Sequence, residues 1–154
     1  MEDQIIQSQN LMIQVIIANT SSAMKISKTL CDHSNDKILK ADEIICGLIY
    51  RLMIPMTDDE IEISMNEAED IIYQDSTDEE DNQETEGIEE TDILDDLEEF
   101  NLTKAVRTNS CNCDICSKVR VCLLNFTNFT PKDELGDTFK NSILLTCSEY
   151  NRTI

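Results

Sequence analysis

Four of the seven cysteines in this chain lie within twelve residues, in the sequence CNCDICSKVRVC that begins at Cys111. Thiolates at such spacing can bind a metal ion. The two-residue gap between Cys113 and Cys116 is the spacing of a knuckle, a turn that directs two sulfurs toward the same ion. A closed structural zinc site has four ligands, so two more must come from elsewhere. The sequence therefore predicts a structural zinc site that contains Cys113 and Cys116.

The other two ligands stay open on the sequence alone. Cys147 is expected on the inner face of the last helix, where it could fold over the knuckle as the third ligand. Cys111 or Cys122 could supply the fourth. Cys31 and the single histidine, His33, offer a longer-range alternative that would tie the two halves of the chain together. Taken alone, His33 is better explained as an exposed residue at a helix end.

A simpler interpretation competes with the zinc site. Cys46, Cys122 and Cys147 could be small buried apolar side chains, with residues 111–116 forming an exposed turn. A redox-active pair is less favoured because no strand-then-helix pattern precedes Cys113, and an iron–sulfur cluster has no further support. With one histidine, three glycines and no positioned carboxylates, the sequence predicts a protein that is not an enzyme.

The elements that must position these thiols begin with a predicted N-terminal helical bundle over residues 1–74. Apolar residues recur at helical spacing over residues 3–30, which predicts an amphipathic helix. The polar residues 19–22 are a candidate break within it, where a serine could cap a second helix.

Two further helices are predicted in this bundle. The first begins after Asn35 or Asp36 and ends before Pro55, which lacks a backbone N–H and restricts the residue before it. The sequence from Thr57 to Glu60 is a capping box that begins the next helix. Three amphipathic helices with short loops can bury their apolar stripes against one another.

An acidic linker is predicted over residues 75–102. The chain has a net charge of -20, and residues 52–103 hold 21 acidic and no basic residues. Residues 75–92 cannot bury enough apolar surface to offset chain entropy, which predicts disorder. Residues 92–102 form an acidic amphipathic segment that could dock in a groove of a partner or pack back on this chain.

A small cysteine-rich module is predicted over residues 103–154. Residues 119–126, VRVCLLNF, could be a strand or a short helix, because the run is too short for periodicity to decide. Thr130–Asp133 reads as a helix start, with a cap residue followed by proline and an acid. The closing helix then carries Cys147 on its apolar face. The predicted fold class is mainly α, with a helical bundle, an acidic linker and this module.

The charge of the chain bears on its partners. A strongly acidic protein is repelled by phosphate backbones and anionic lipid, so a basic protein partner is expected, and nucleic acid only locally through residues 103–154. The acidic start MEDQ lacks the pattern of a secretory signal, and no apolar run reaches the roughly 20 residues that span a bilayer. We therefore expect an intracellular protein with reduced thiols. The basic residues that could touch phosphate are Lys104, Arg107, Lys118, Arg120 and Lys132.

The stretches CNCDICSKVRVCLLNF and LGDTFKNSILLTCSEYN resemble short cysteine-containing proteins of mimivirus-like giant DNA viruses. The stretch ADEIICGLIYRLMIPMTDDEIE in the helical half adds to the likeness. Those proteins belong to no family of known function, so the resemblance assigns no functional residue. It implies the host cytoplasm or a viral factory as the setting.

These patterns together predict a non-enzymatic interaction or regulatory adaptor, with zinc fixing the small module. Two alternatives stay open. One is an oligomeric structural protein of a virion or viral factory, assembled through the apolar helices. The other is a regulator of nucleic-acid machinery that binds RNA or DNA through the C-terminal module.

Overall fold

A computed structural model describes residues 1–74 and 102–154, and these residues form a mainly α-helical protein, which confirms the predicted fold class. The predicted acidic linker, with its amphipathic segment, lies outside the described residues apart from Leu102. The helices are α1 (Glu2–Asp32), α2 (Ala41–Met53), α3 (Asp58–Gln74), α4 (Asp114–Asn125) and α5 (Glu134–Glu149), with a 3-10 turn at Phe126–Asn128. Two short strands, β1 (Lys104–Ala105) and β2 (Arg152–Thr153), pair in parallel, with Lys104 opposite Arg152.

Helix α1 is continuous, so the predicted break at residues 19–22 is wrong. The side chains of Asn19 and Thr20 donate to the carbonyl oxygens of Val15 and Ile16, four residues earlier, at 2.8 and 2.9 Å. Polar side chains in the middle of a helix can bond back to the carbonyl four residues earlier in this way, and the helix continues through them. Ser22 is buried instead of capping a new helix.

Helix α2 begins at Ala41, later than predicted. The backbone N–H of Lys40 donates to the Glu43 carboxylate at 2.9 Å, which fixes the first turn. Before it, Lys37 adopts a positive φ of 53°, which a continuous helix does not allow. The predicted stop before Pro55 is confirmed, because α2 ends at Met53.

The capping box at the start of α3 is confirmed. The backbone N–H of Thr57 donates to the Glu60 carboxylate at 2.8 Å, and the N–H of Glu60 donates to the Thr57 hydroxyl at 3.3 Å. These two bonds satisfy donors that the first turn of a helix leaves free.

Residues 119–126 are mainly helical, since most of them lie in α4.

The last helix begins later than predicted. The cap of α5 is Asp133, whose carboxylate accepts from the Gly136 N–H at 2.7 Å, so the predicted start at Thr130 is three residues early. A carboxylate is as strong a cap as a threonine hydroxyl, and it also favours the positive end of the helix.

The two described parts of the chain share one hydrophobic core. Helix α2 lies against α1 on one side and against α4 and α5 on the other. The cysteine-rich part is therefore packed on the helical bundle, while the predicted domain limits at residues 74 and 103 stay a prediction. The core residues are Leu30, Cys46, Ile49, Tyr50, Val106, Cys116, Val119, Cys122, Phe126, Ile143 and Cys147.

The start of α2 is tied to the C-terminal strand pair by charge. The Asp42 carboxylate accepts from the Arg152 guanidinium at 3.2 Å and from the backbone N–H of Arg107 at 3.3 Å.

Within the described residues, no helix combines the length and apolar character needed to cross a membrane.

Candidate metal centre

His33, Cys111, Cys113 and Cys116 bring four potential ligand atoms together, all within 4.8 Å of one another. The histidine belongs to the helical half of the chain and the three cysteines to the C-terminal half, 78 residues further along at the nearest. The cluster could hold a metal ion, and it lies where the two parts of the chain meet.

The end of α1 places the histidine. His33 follows the last residue of α1, and its backbone N–H still donates to the Thr29 carbonyl at 3.1 Å. The Ser34 hydroxyl then closes the helix by donating to the Cys31 carbonyl at 2.7 Å. The imidazole therefore projects from a fixed helix end, with its Nδ1 atom toward the three sulfurs.

The start of α4 places two of the sulfurs. Cys113 is the residue before the helix, with extended φ and ψ of -66° and 164°, and its carbonyl accepts from the Ser117 N–H at 3.0 Å. Cys116 lies in the first helical turn and is buried. A cap residue and a residue three positions later lie on the same side of a helix start, so both thiols face one point.

Asn109 connects the knuckle to α1. Its amide nitrogen lies 3.1 Å from the Leu30 carbonyl oxygen and 3.5 Å from the Cys116 sulfur. Its amide oxygen accepts from the Cys111 N–H at 3.2 Å. The Arg120 guanidinium of α4 in turn donates to the Asn109 carbonyl at 3.0 Å. Such outer partners orient metal ligands in known sites.

The distances match a tetrahedral site better than a set of hydrogen bonds. The His33 Nδ1 atom lies 3.6, 3.3 and 3.4 Å from the sulfurs of Cys111, Cys113 and Cys116. Zn–S bonds of about 2.3 Å and a Zn–N bond of about 2.0–2.1 Å place nitrogen and sulfur about 3.5 Å apart at tetrahedral angles. A neutral imidazole nitrogen accepts a single hydrogen bond, so hydrogen bonding cannot explain all three sulfurs at once.

The pKa values of the two knuckle thiols are shifted in opposite directions. The backbone N–H of Cys116 donates toward the Cys113 sulfur and lowers the pKa of that thiol to about 6. Burial acts in the opposite direction on Cys116 and raises its pKa to about 11. Cys113 is therefore mainly a thiolate at neutral pH, whereas Cys116 needs a cation in place of its proton to become a ligand.

The structure brings together three of the five cysteines that the sequence singled out, and adds His33. Cys122 and Cys147 lie outside the cluster, in the hydrophobic core, with 5 and 3 % of their surface exposed. Burial raises the pKa of both thiols. The simpler interpretation as buried apolar side chains describes these two residues. All seven cysteines are free thiols.

His33 is the potential ligand that the favoured sequence interpretation left out. His33 is an exposed helix-end residue, as expected, yet its ring is also turned toward the knuckle. Cys31, its neighbour in the longer-range alternative, is buried on α1 and lies outside the cluster. The only signal in the sequence was a histidine just beyond a predicted helix, which cannot report a contact with residues so far along the chain.

No protein-family model matches this chain, and no curated protein or solved structure matches it either.

Proposed function

We propose that His33, Cys111, Cys113 and Cys116 bind one zinc ion. Three thiolates and one imidazole are soft and borderline donors, a set that suits tetrahedral Zn²⁺ far better than Mg²⁺ or Ca²⁺, which prefer oxygen. The convergence of three sulfurs on one imidazole nitrogen, at 3.3–3.6 Å, is the observation that carries this proposal.

The role of the ion is structural. Four protein ligands fill a tetrahedral coordination shell and leave no position for a substrate or an activated water. Because the ligands come from the end of α1 and the start of α4, the ion cross-links the two parts of the chain. Besides the ligand Cys116, the core includes three cysteines and two valines, small side chains that bury little area each, so metal binding adds stability that packing alone does not provide.

The biological role that we infer is a non-enzymatic interaction or regulatory adaptor, with a basic protein as its partner. Residues 52–103 have a charge of -21, and α3 alone contributes seven of these acids and no base. Such a concentration of negative charge attracts cationic partners at long range. The resemblance to giant-virus proteins supports a viral setting for this role. Affinity purification from expressing cells, repeated at high salt, tests it, since a partner held by charge is lost as salt increases.

Zinc content tests the metal site directly. We expect about one zinc per chain in the purified protein by elemental analysis, at the stoichiometry of a single closed site. Cys113→Ser should abolish the zinc, whereas Cys147→Ala, a core thiol outside the cluster, should keep it. Both variants remove one sulfur, so their comparison separates a lost ligand from a lost thiol.

Two results would contradict the zinc proposal. One is metal-free protein whose circular dichroism and unfolding midpoint do not respond to added zinc or to a chelator. The other is loss of zinc from folded Cys147→Ala, which would place the ion elsewhere.

A further inference from the structure

The first part of α1 extends beyond the core as an isolated helix. Every residue from 1 to 13 is exposed, and the side chain of Gln14 donates to the Met65 carbonyl of α3 at 2.9 Å. Ala18 is the first buried residue. We call residues 2–17 the arm. Its exposed part is twelve residues long, or about 18 Å of helix at 1.5 Å per residue.

The arm carries an apolar stripe. Successive stripe residues are spaced by one, three or six positions, so they lie on one side of the helix within less than half of its circumference. Residues 5 and 12, and residues 6 and 13, are each one heptad apart, which is the spacing of helices that pair side by side. The stripe consists of Ile5, Ile6, Met12, Ile13 and Ile16, with 57, 53, 57, 49 and 37 % of their surfaces exposed.

The apolar face of the arm is the part of α1 that would gain from a partner. Most of the stability of a helix in a protein comes from packing of its apolar face, and residues 2–13 of α1 are exposed. Five large apolar side chains on one face would in addition remain in contact with water. Packing within the described residues still leaves 37–57 % of the surface of each stripe residue exposed.

Charge decides what can cover it. From Gln4 to Met24 the chain has no charged residue, although its net charge is -20. The stripe has no acidic residue that could attract a basic partner. The acidic residues of α3 would attract such a partner instead. Two copies of this protein repel each other through residues 52–103, which carry a charge of -21, but not where two uncharged arms meet.

We propose that the arm pairs with the arm of a second copy of this chain, antiparallel, about a two-fold axis near residues 10 and 11. A parallel pair would place Glu2 and Asp3 beside the same acids of the other copy and bring the two acidic bodies together at one end. The antiparallel pair keeps the first-turn acids of the two copies apart and the two acidic bodies at opposite ends. It also sets opposite helix dipoles side by side. Ile5 and Ile16 of the two copies then face each other, and an isologous contact of this type closes as a dimer.

Sedimentation equilibrium of the full chain tests this pairing, with a matched pair of neighbouring substitutions. The wild type should reach twice the 17.6 kDa of one chain as concentration increases. Met12→Glu places a charge in the stripe and should weaken the dimer by about tenfold or more in Kd. Leu11→Glu is the control, because Leu11 is 55 % exposed on the opposite face of the same arm, and it should leave the Kd unchanged.

The outcomes separate the possible occupants of the stripe. A wild type that stays at 17.6 kDa, with a Kd weaker than about 1 mM, would overturn the proposal, whether the stripe is then covered by residues 92–101 or by another protein. An equal loss in Leu11→Glu would show that the stripe is not the contact. A mixture of two variants tests the orientation of the arms. In an antiparallel pair residue 5 of one copy faces residue 16 of the other, so an equimolar mixture of Ile5→Glu and Ile5→Lys should stay weakly associated. Recovery of a tight mixed dimer would mean that the arms are parallel.

Discussion

Gly47 of α2 lies where α2 crosses α1, and replacing it with alanine is expected to destabilise the protein. A methyl group at this position would overlap the Ser27 hydroxyl. It would also lie 2.6 Å from the Ala23 carbonyl oxygen and 3.1 Å from the Ser27 nitrogen. Two of these three atoms belong to the α1 backbone and cannot rotate away, so the two helices would have to move apart.

Two opposing effects set the magnitude. Alanine is more favourable than glycine inside a helix by about 0.8–1.0 kcal/mol. Overpacking a filled core typically costs about 1–3 kcal/mol, and contact with backbone atoms places this site at the upper end. Ser27 is fully buried, so no free space absorbs the methyl group. We expect the packing cost to exceed the helix propensity and leave a net loss of about 1–2 kcal/mol.

Urea unfolding followed by circular dichroism measures this loss, with zinc kept at a constant concentration because bound metal shifts the midpoint. The double variant Ser27→Ala/Gly47→Ala is the control. It removes the hydroxyl that the new methyl would overlap, so its loss should be smaller than the sum of the two single losses. A Gly47→Ala protein as stable as the wild type, or more stable, would refute the close crossing of α1 and α2.

Three further predictions concern single side chains. His33→Ala removes one of the four proposed zinc ligands. Structural zinc sites bind with roughly 10–16 kcal/mol, and a quarter of that free energy corresponds to a loss of zinc affinity of about 100- to 1,000-fold. Chelator competition measures this loss, and a change below about tenfold would exclude His33 as a ligand. In zinc-free protein, Cys113 should react with iodoacetamide faster than the buried cysteines at neutral pH, because its pKa is lowered to about 6, and the rate should fall as the pH drops through that value. Peptide mapping follows this reaction, and a rate that still rises near pH 9.0, the ordinary pKa of the thiol, would contradict it. Arg51→Met should leave the free energy of unfolding unchanged within about 1 kcal/mol, or increase it, as measured by thermal unfolding. The reason is that the Arg51 guanidinium is buried 3.8 Å from Glu60, and two of its nitrogens lack a hydrogen-bond partner within the described chain. A loss above about 2 kcal/mol would show that the ion pair is net favourable.

The sequence by itself determined the features that depend on neighbouring residues. The stop of α2 before Pro55 and the capping box from Thr57 to Glu60 involve bonds within one turn, and both are present. The knuckle is equally local, since Cys113 and Cys116 are brought together by the first turn of α4. Local errors arose where alternative caps compete within a few residues, as at Thr130 and Asp133.

Only the tertiary structure decided which residues complete the candidate metal centre and how the two parts of the chain meet. Cys147 and His33 were both compatible with the knuckle spacing, because a ligand needs only to reach the ion and its distance along the chain is not constrained. Packing of α2 between α1 and the C-terminal helices turns Cys147 into the core and brings the end of α1 to the knuckle. That choice depends on the summed burial of many side chains from both parts of the chain, and no short stretch of sequence encodes it.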